Sequence, residues 1–103
     1  MEDPRIPRSA FSLKPRFPFG GLTFSRCVYA LIREDLLDPL PYVRRHIYGD
    51  WGDVREEHRR YNDAALERGG YLLSSYATSD GLVLCIFTEA DRSLTAVFLL
   101  DEY

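Results

Sequence analysis

Long apolar runs are missing from this 103-residue chain. No stretch approaches the roughly 18 apolar residues that a membrane-spanning helix needs. The N-terminus has no continuous apolar segment of the kind found in secretory leaders. A cytoplasmic protein is expected. Cysteine is scarce, with only Cys27 and Cys85, and histidine is limited to His46 and His58. Without a Cys-x-x-Cys pair, and with neither histidine at ligand spacing from a second one, no structural zinc site is expected. No cofactor is implied. Lysine is nearly absent: Lys14 stands against 12 arginines, and the net charge is −3. That balance opposes broad binding to a phosphate backbone, so a nucleic-acid partner is not expected.

The hydrophobic fraction is 46% and the aromatic fraction 14%, enough for one domain with one core. Residues 1–20 stand apart. They hold four of the six prolines and four of the 13 Lys+Arg, and are net +2; the remaining 83 residues are net −5. Proline density excludes a helix there and disfavours a central strand. An extended arm is expected over 1–20 and a single domain over 21–103. Phe11, Leu13, Phe17 and Phe19 alternate with polar residues or proline, so the arm either lies along the domain or a partner, or is dispensable for folding.

Leu22-Thr23-Phe24 reads as a short strand. Ser25 is placed to cap a helix of about residues 26–35. Asp38, Pro39 and Gly49 punctuate a second helix whose Leu40, Val43 and Ile47 should face the core, with Arg44 and Arg45 outward. A third helix is expected from Asp53, with Glu56 completing a capping box, a buried stripe of Val54, His58, Tyr61 and Ala65, and Gly69-Gly70 at its end. Three strands follow, at Tyr71–Ala77, Leu82–Thr88 and Leu94–Leu100, with the first hairpin turning at Ser79-Asp80-Gly81. The middle strand is apolar at every position and should be central, with Cys85 buried. Cys27, also in an apolar run, should be buried too. The fold class is α+β: two to three N-terminal helices in one layer on a C-terminal antiparallel meander of three to four strands. Tyr76, Phe87 and Leu99 are expected together on the sheet face the helices leave open. Such a face calls for a cover, from the arm or from a second copy in a homodimer.

Two loops concentrate polar and aromatic groups. Asp50-Trp51-Gly52-Asp53 either presents an indole between carboxylates for protein contact, or plugs the core with Trp51 while Asp53 caps a helix. Glu89-Ala90-Asp91-Arg92-Ser93 crowds charges and a hydroxyl into a hairpin tip. It forms a binding site or an Asx-type turn with an ion pair to Arg92. The candidate binding residues are therefore Asp50, Trp51, Asp53, Glu89, Asp91, Arg92 and Ser93. No convincing catalytic set emerges; Ser93 or Thr95 with either histidine rests on composition alone.

The segment from His46 to Asp53, then Asn62, the Asp80-Gly81 turn, Thr88 to Ser93 with Thr95, and the final Glu102-Tyr103 resemble a family of small bacterial proteins carried on plasmids and integrative elements. The resemblance covers residues 38–103 and leaves out the proline-rich arm. Two positions depart from that pattern, Ala96 in place of a second threonine and Leu100 in place of a proline. The resemblance implies a mobile-element setting and supplies no catalytic residues. In that setting a small acidic module is expected to bind protein and to inhibit or modulate a host defence complex, as anti-CRISPR proteins do. The helix-helix-meander order is also similar to small ribonuclease toxins of the RelE or barnase-like kind, for which His46, Glu89, Arg92 and Ser93 would be the catalytic candidates.

Overall fold

The computed structural model describes residues 14–102. Along the chain run β1 (Gly21–Phe24), α1 (Arg26–Arg33), α2 (Leu40–Ile47), α3 (Glu56–Arg68), β2 (Leu72–Ala77), β3 (Val83–Thr88) and β4 (Leu94–Leu99), with a closing 3₁₀ turn at Leu100–Glu102. The fold is α+β. The four strands form one sheet in the order β1-β4-β3-β2. β2, β3 and β4 form the expected antiparallel meander, whereas β1 joins β4 in parallel, so the sheet is mixed. The parallel edge begins where Gly20, at φ +64, lets the chain run tight against the backbone of Arg92 and Ser93. Gly21 N then donates to Ser93 O at 3.0 Å and Ser25 N to Val97 O at 2.9 Å.

α1 starts as expected, with Ser25 Oγ accepting from Val28 N at 3.2 Å. Glu102 reaches back to that helix start and accepts from Ser25 Oγ at 2.6 Å. α2 begins at Pro39 with Asp38 Oδ1 accepting from Leu40 N at 3.1 Å. Leu40, expected in the core, is 61% exposed, and His46 is buried in its stead beside Val43 and Ile47. On this eight-residue helix only the C-terminal turns bury a face. α3 starts at Glu56 with no side-chain cap, three residues later than expected, because the Asp53 carboxylate is used elsewhere. Its buried residues are Asn62 and Ala65, not His58 and Tyr61. Gly69 and Gly70, both at positive φ, end it.

Leu72, Ser74 and Tyr76 of β2 align with Thr88, Ile86 and Leu84 of β3, and these with Thr95, Val97 and Leu99 of β4. This inner face meets the helices and holds the core with Val28, Val43, Ile47 and Trp51. The outer face carries Leu73, Val83, Cys85, Phe87 and Ala96. The expected grouping of Tyr76, Phe87 and Leu99 on one face is therefore wrong: Tyr76 and Leu99 point inward and Phe87 outward. Cys85 is buried as expected, but Cys27 is exposed on α1.

Phe17 is buried in the core and Phe19 packs against it. Arg16 N donates to Ile47 O at 2.7 Å, which pins the incoming chain to the end of α2. The expected roles of Phe11 and Leu13 lie outside the described residues.

Candidate functional site

Backbone N–H and C=O groups on an edge strand need partners or they recruit another strand. β2 is an edge of this sheet, and its outward groups are paired one by one. Asn62 Oδ1 accepts from Leu73 N at 3.3 Å and Asn62 Nδ2 donates to Leu73 O at 2.8 Å. Ser75 N donates to Trp51 O at 3.1 Å, and Asp53 N donates to Ser75 O at 2.6 Å. Asp53 Oδ2 accepts from Ala77 N at 2.9 Å. One primary amide and the Trp51–Asp53 segment thus close the edge without a fifth strand. Gly52 is required here: at φ +74 it sits against Ser75 O and the Tyr76 ring, where a Cβ has no room.

Trp51 is 1% exposed. Its indole N–H donates to Asp63 at 2.9 Å, and Phe17 stacks on it at 6.4 Å between ring centroids. Asp50 is exposed and bound by Arg45 at 2.7 Å, which holds its carboxyl below the ordinary aspartate range. Asp50 O accepts from the Tyr76 hydroxyl at 2.6 Å. The Asp50–Asp53 loop is built into the core and the sheet edge.

The β3–β4 tip is an Asx turn. Asp91 Oδ1 accepts from Ser93 N at 3.0 Å and Ser93 Oγ at 2.6 Å, which lowers the Asp91 pKa. Arg92, at φ +63, turns inward instead of pairing with Asp91 or Glu89 carboxylates. Its guanidinium donates to Gly70 O at 2.5 Å, Ala65 O at 3.1 Å and Glu89 O at 3.1 Å. Ala65 and Gly70 lie at the C-terminal end of α3, where a cation complements the helix dipole. The same guanidinium lies 5.6 Å over the Phe17 ring. Phe17, absent from the candidate residues, is thus what joins the two loops: Trp51 stacks on it, and Arg92 lies over it.

His46 is fully buried under this cluster, with both ring nitrogens engaged. Nδ1 is 2.5 Å from Ser74 Oγ and Nε2 is 2.9 Å from Thr88 Oγ1. Thr88 Oγ1 is 2.7 Å from Thr95 Oγ1, which donates to Phe19 O at 2.8 Å. The last bond fixes the direction of the whole chain. A carbonyl can only accept, so Thr95 donates to it and must accept from Thr88. Thr88 has then spent its hydrogen and accepts from His46 Nε2–H. Nδ1 is left bare and accepts from Ser74. The imidazole is neutral, and burial, with Arg92 as a smaller cause, pushes its pKa down to about 3.

The chain matches no family model, no curated protein and no solved structure. Its site must be read from its own geometry.

The polar candidates are not assembled at a common surface. His46 is sealed in, Arg92 is tied to carbonyls, and Glu89, Asp91 and Ser93 occupy an exposed tip. Among the described residues no group of three or more His, Cys, Asp or Glu is placed to hold a metal ion, and no helix is long and apolar enough to cross a membrane. What the surface does offer is aromatic. His58 and Tyr61 of α3, Tyr71 before β2, and Phe87 of β3 form a run of rings. The centroid spacings are 5.7 Å for His58–Tyr61, 4.8 Å for Tyr61–Tyr71 and 5.4 Å for Tyr71–Phe87. Tyr61 is 40% and Tyr71 39% exposed. Arg55 and Glu57 border a hollow of about 290 Å³ at its α3 end. The run had no periodic signature in the sequence, because it passes from one face of a helix to the outer face of the sheet.

Proposed function

We infer that the protein is a non-enzymatic protein-binding module, and that it binds through the outer sheet face and the adjoining aromatic run. One observation carries this reading. The β2 edge of the sheet is closed by the chain itself, while Leu73, Val83, Phe87 and Ala96 of the outer face stay partly exposed, continuous with Tyr71 and Tyr61. Tyrosine rings beside aliphatic side chains suit a protein interface, giving large rigid contacts at small entropic cost. With the β2 edge closed, a partner there meets the sheet face to face, either a second copy of the chain in a homodimer or a different protein.

The finer reading, a module of a bacterial mobile element that inhibits or modulates a host defence complex in anti-CRISPR fashion, rests on the resemblance of the two loop segments. The test is capture from a bacterial lysate with the full chain as bait, followed by mass spectrometry. A stoichiometric protein partner is expected. Recovery of none, together with a monomeric bait in light scattering, contradicts the binding-module reading. A partner outside any defence system contradicts only the finer one.

A further inference from the structure

The sheet has a second edge, β1, and the chain does not close it as it closes β2. In a parallel pair, alternate residues bond the neighbouring strand. Gly21 N donates to Ser93 O and Ser25 N to Val97 O, so Gly21, Thr23 and Ser25 turn their backbone groups to β4. Leu22 and Phe24 turn theirs away, and among the described residues no hydrogen bond from outside the sheet meets them. The usual guards of an edge are missing too: Gly21–Phe24 holds no charge, no proline and no bulge. Thr23 is exposed on the outer face, while Leu22 and Phe24 pack half-buried against the core on the helix side. Beside Phe24 lies a hollow of about 400 Å³, bordered also by Ile32, Leu37 and Leu40.

The complement to an open edge is another extended strand. This edge is self-complementary. Placed antiparallel with a two-fold axis at Thr23, Leu22 of one copy exchanges both N–H···O bonds with Phe24 of the other, and Phe24 does the same with Leu22. Every outward donor and acceptor of the strand is then paired. An axis at Leu22 or at Phe24 would instead set one of the two residues opposite Gly20 or Arg26, outside the strand. The side chains agree with the central register. The partner's Leu22 stands beside Phe24, at the mouth of the apolar hollow. The two threonines meet on the axis as a non-hydrogen-bonded pair, where Thr–Thr contacts are favourable. Neither strand carries a charge that would repel its copy. We propose that the β1 edge is the docking surface for a second copy of this chain, paired antiparallel through Leu22 and Phe24 about Thr23. This pairing goes beyond the binding-module reading: it makes the two sheets continuous and leaves both outer faces open.

Single cysteines test the register on the full chain. Across an antiparallel pair, Cα atoms at a non-hydrogen-bonded position lie about 4.5 Å apart, within reach of a disulfide. In a Cys27→Ser background, Thr23→Cys should therefore oxidise to a covalent dimer about tenfold faster or more than the exposed control Glu67→Cys on α3 at equal concentration. Thr23→Lys sets like charges opposite each other on the axis, and should raise the dissociation constant of the dimer in light scattering about tenfold or more. Its circular dichroism should stay native, because Thr23 is exposed. Phe87→Asp, on the outer face, should leave this dimer intact. Three results would each overturn the proposal: a monomeric native chain, equal oxidation rates for the two cysteines, or a dimer that Phe87→Asp dissociates and Thr23→Lys does not. The lysate capture reads the outer face alone, so the edge and the outer face fail separately.

Discussion

At the scale of single residues, His46 carries the most weight. Its proton count changes between states, so its effect on stability has a definite sign. Unfolded, it takes up a proton around its ordinary value of 6.5; folded, it does so only near pH 3. Between those limits the unfolded chain binds more protons, so stability rises with pH. The contribution is complete above about pH 6.5 and is lost as pH falls towards 3, by at most about 1.4 kcal/mol per unit. The carboxyls of Asp50, Asp91 and Glu102 are held below their ordinary values, which are themselves about 4, so their contribution is lost only below the interval from pH 7 to 5 in which His46 acts. Urea unfolding should show a midpoint falling across that interval in the native chain, with the dependence flattened in His46→Gln. Nitrogen-15 NMR should find Nε2 protonated and Nδ1 bare, with no titration above pH 5. A ring that titrates near 6.5 would contradict the buried chain. Thr95→Val removes the donor to Phe19 O and leaves that carbonyl and Thr88 unsatisfied. Destabilisation of about 1–3 kcal/mol is expected, read from the urea midpoint.

Elements show the same economy at the edge of β2, where Asn62 and the Trp51–Asp53 segment stand in for a missing strand. Asn62→Ala should cost about 1–3 kcal/mol by unpairing both backbone groups of Leu73. It should also expose a strand edge, so light scattering should detect concentration-dependent association beyond that of the native chain. An unchanged, monodisperse variant would show that the edge is not protected by this contact. Trp51→Ala should be worse, about 3–5 kcal/mol in thermal or urea melts, since it empties a fully enclosed site. Helix ends were legible in the sequence where a residue has one local job: Ser25 before α1, Pro39 before α2, Gly69-Gly70 after α3. Asp53 misled because a capping carboxylate and an edge-strand acceptor look alike until Ala77 is seen beside it. Strand faces misled for another reason. Leu72-Leu73-Ser74-Ser75 reads equally well in either parity, and Val83 to Phe87 is apolar throughout, so the pattern could not say whether Tyr76 or Phe87 points inward. His46 lies three residues from Val43 and one from Ile47, on the buried stripe of α2, and its helical spacing was the available signal.

For the whole molecule, the two loops with the densest polar content turn out to hold the fold together, linked through Phe17. The surface proposed for recognition is the outer sheet face with Tyr61 and Tyr71. Phe87→Asp places a charge on that face without touching the inner core. If the face is an interface, its burial opposite a partner then costs several kcal/mol. A homodimer formed through it should dissociate in light scattering while the thermal midpoint of the fold changes little. The most direct measurement repeats the lysate capture with two variants matched for stability. One carries Glu89→Ala, Asp91→Ala and Ser93→Ala at the hairpin tip; the other carries Tyr71→Ala and Phe87→Ser on the aromatic run. The tip variant should retain the native partner and the aromatic variant should lose it. Loss with the tip variant and retention with the aromatic one would contradict the placement of recognition on the outer face.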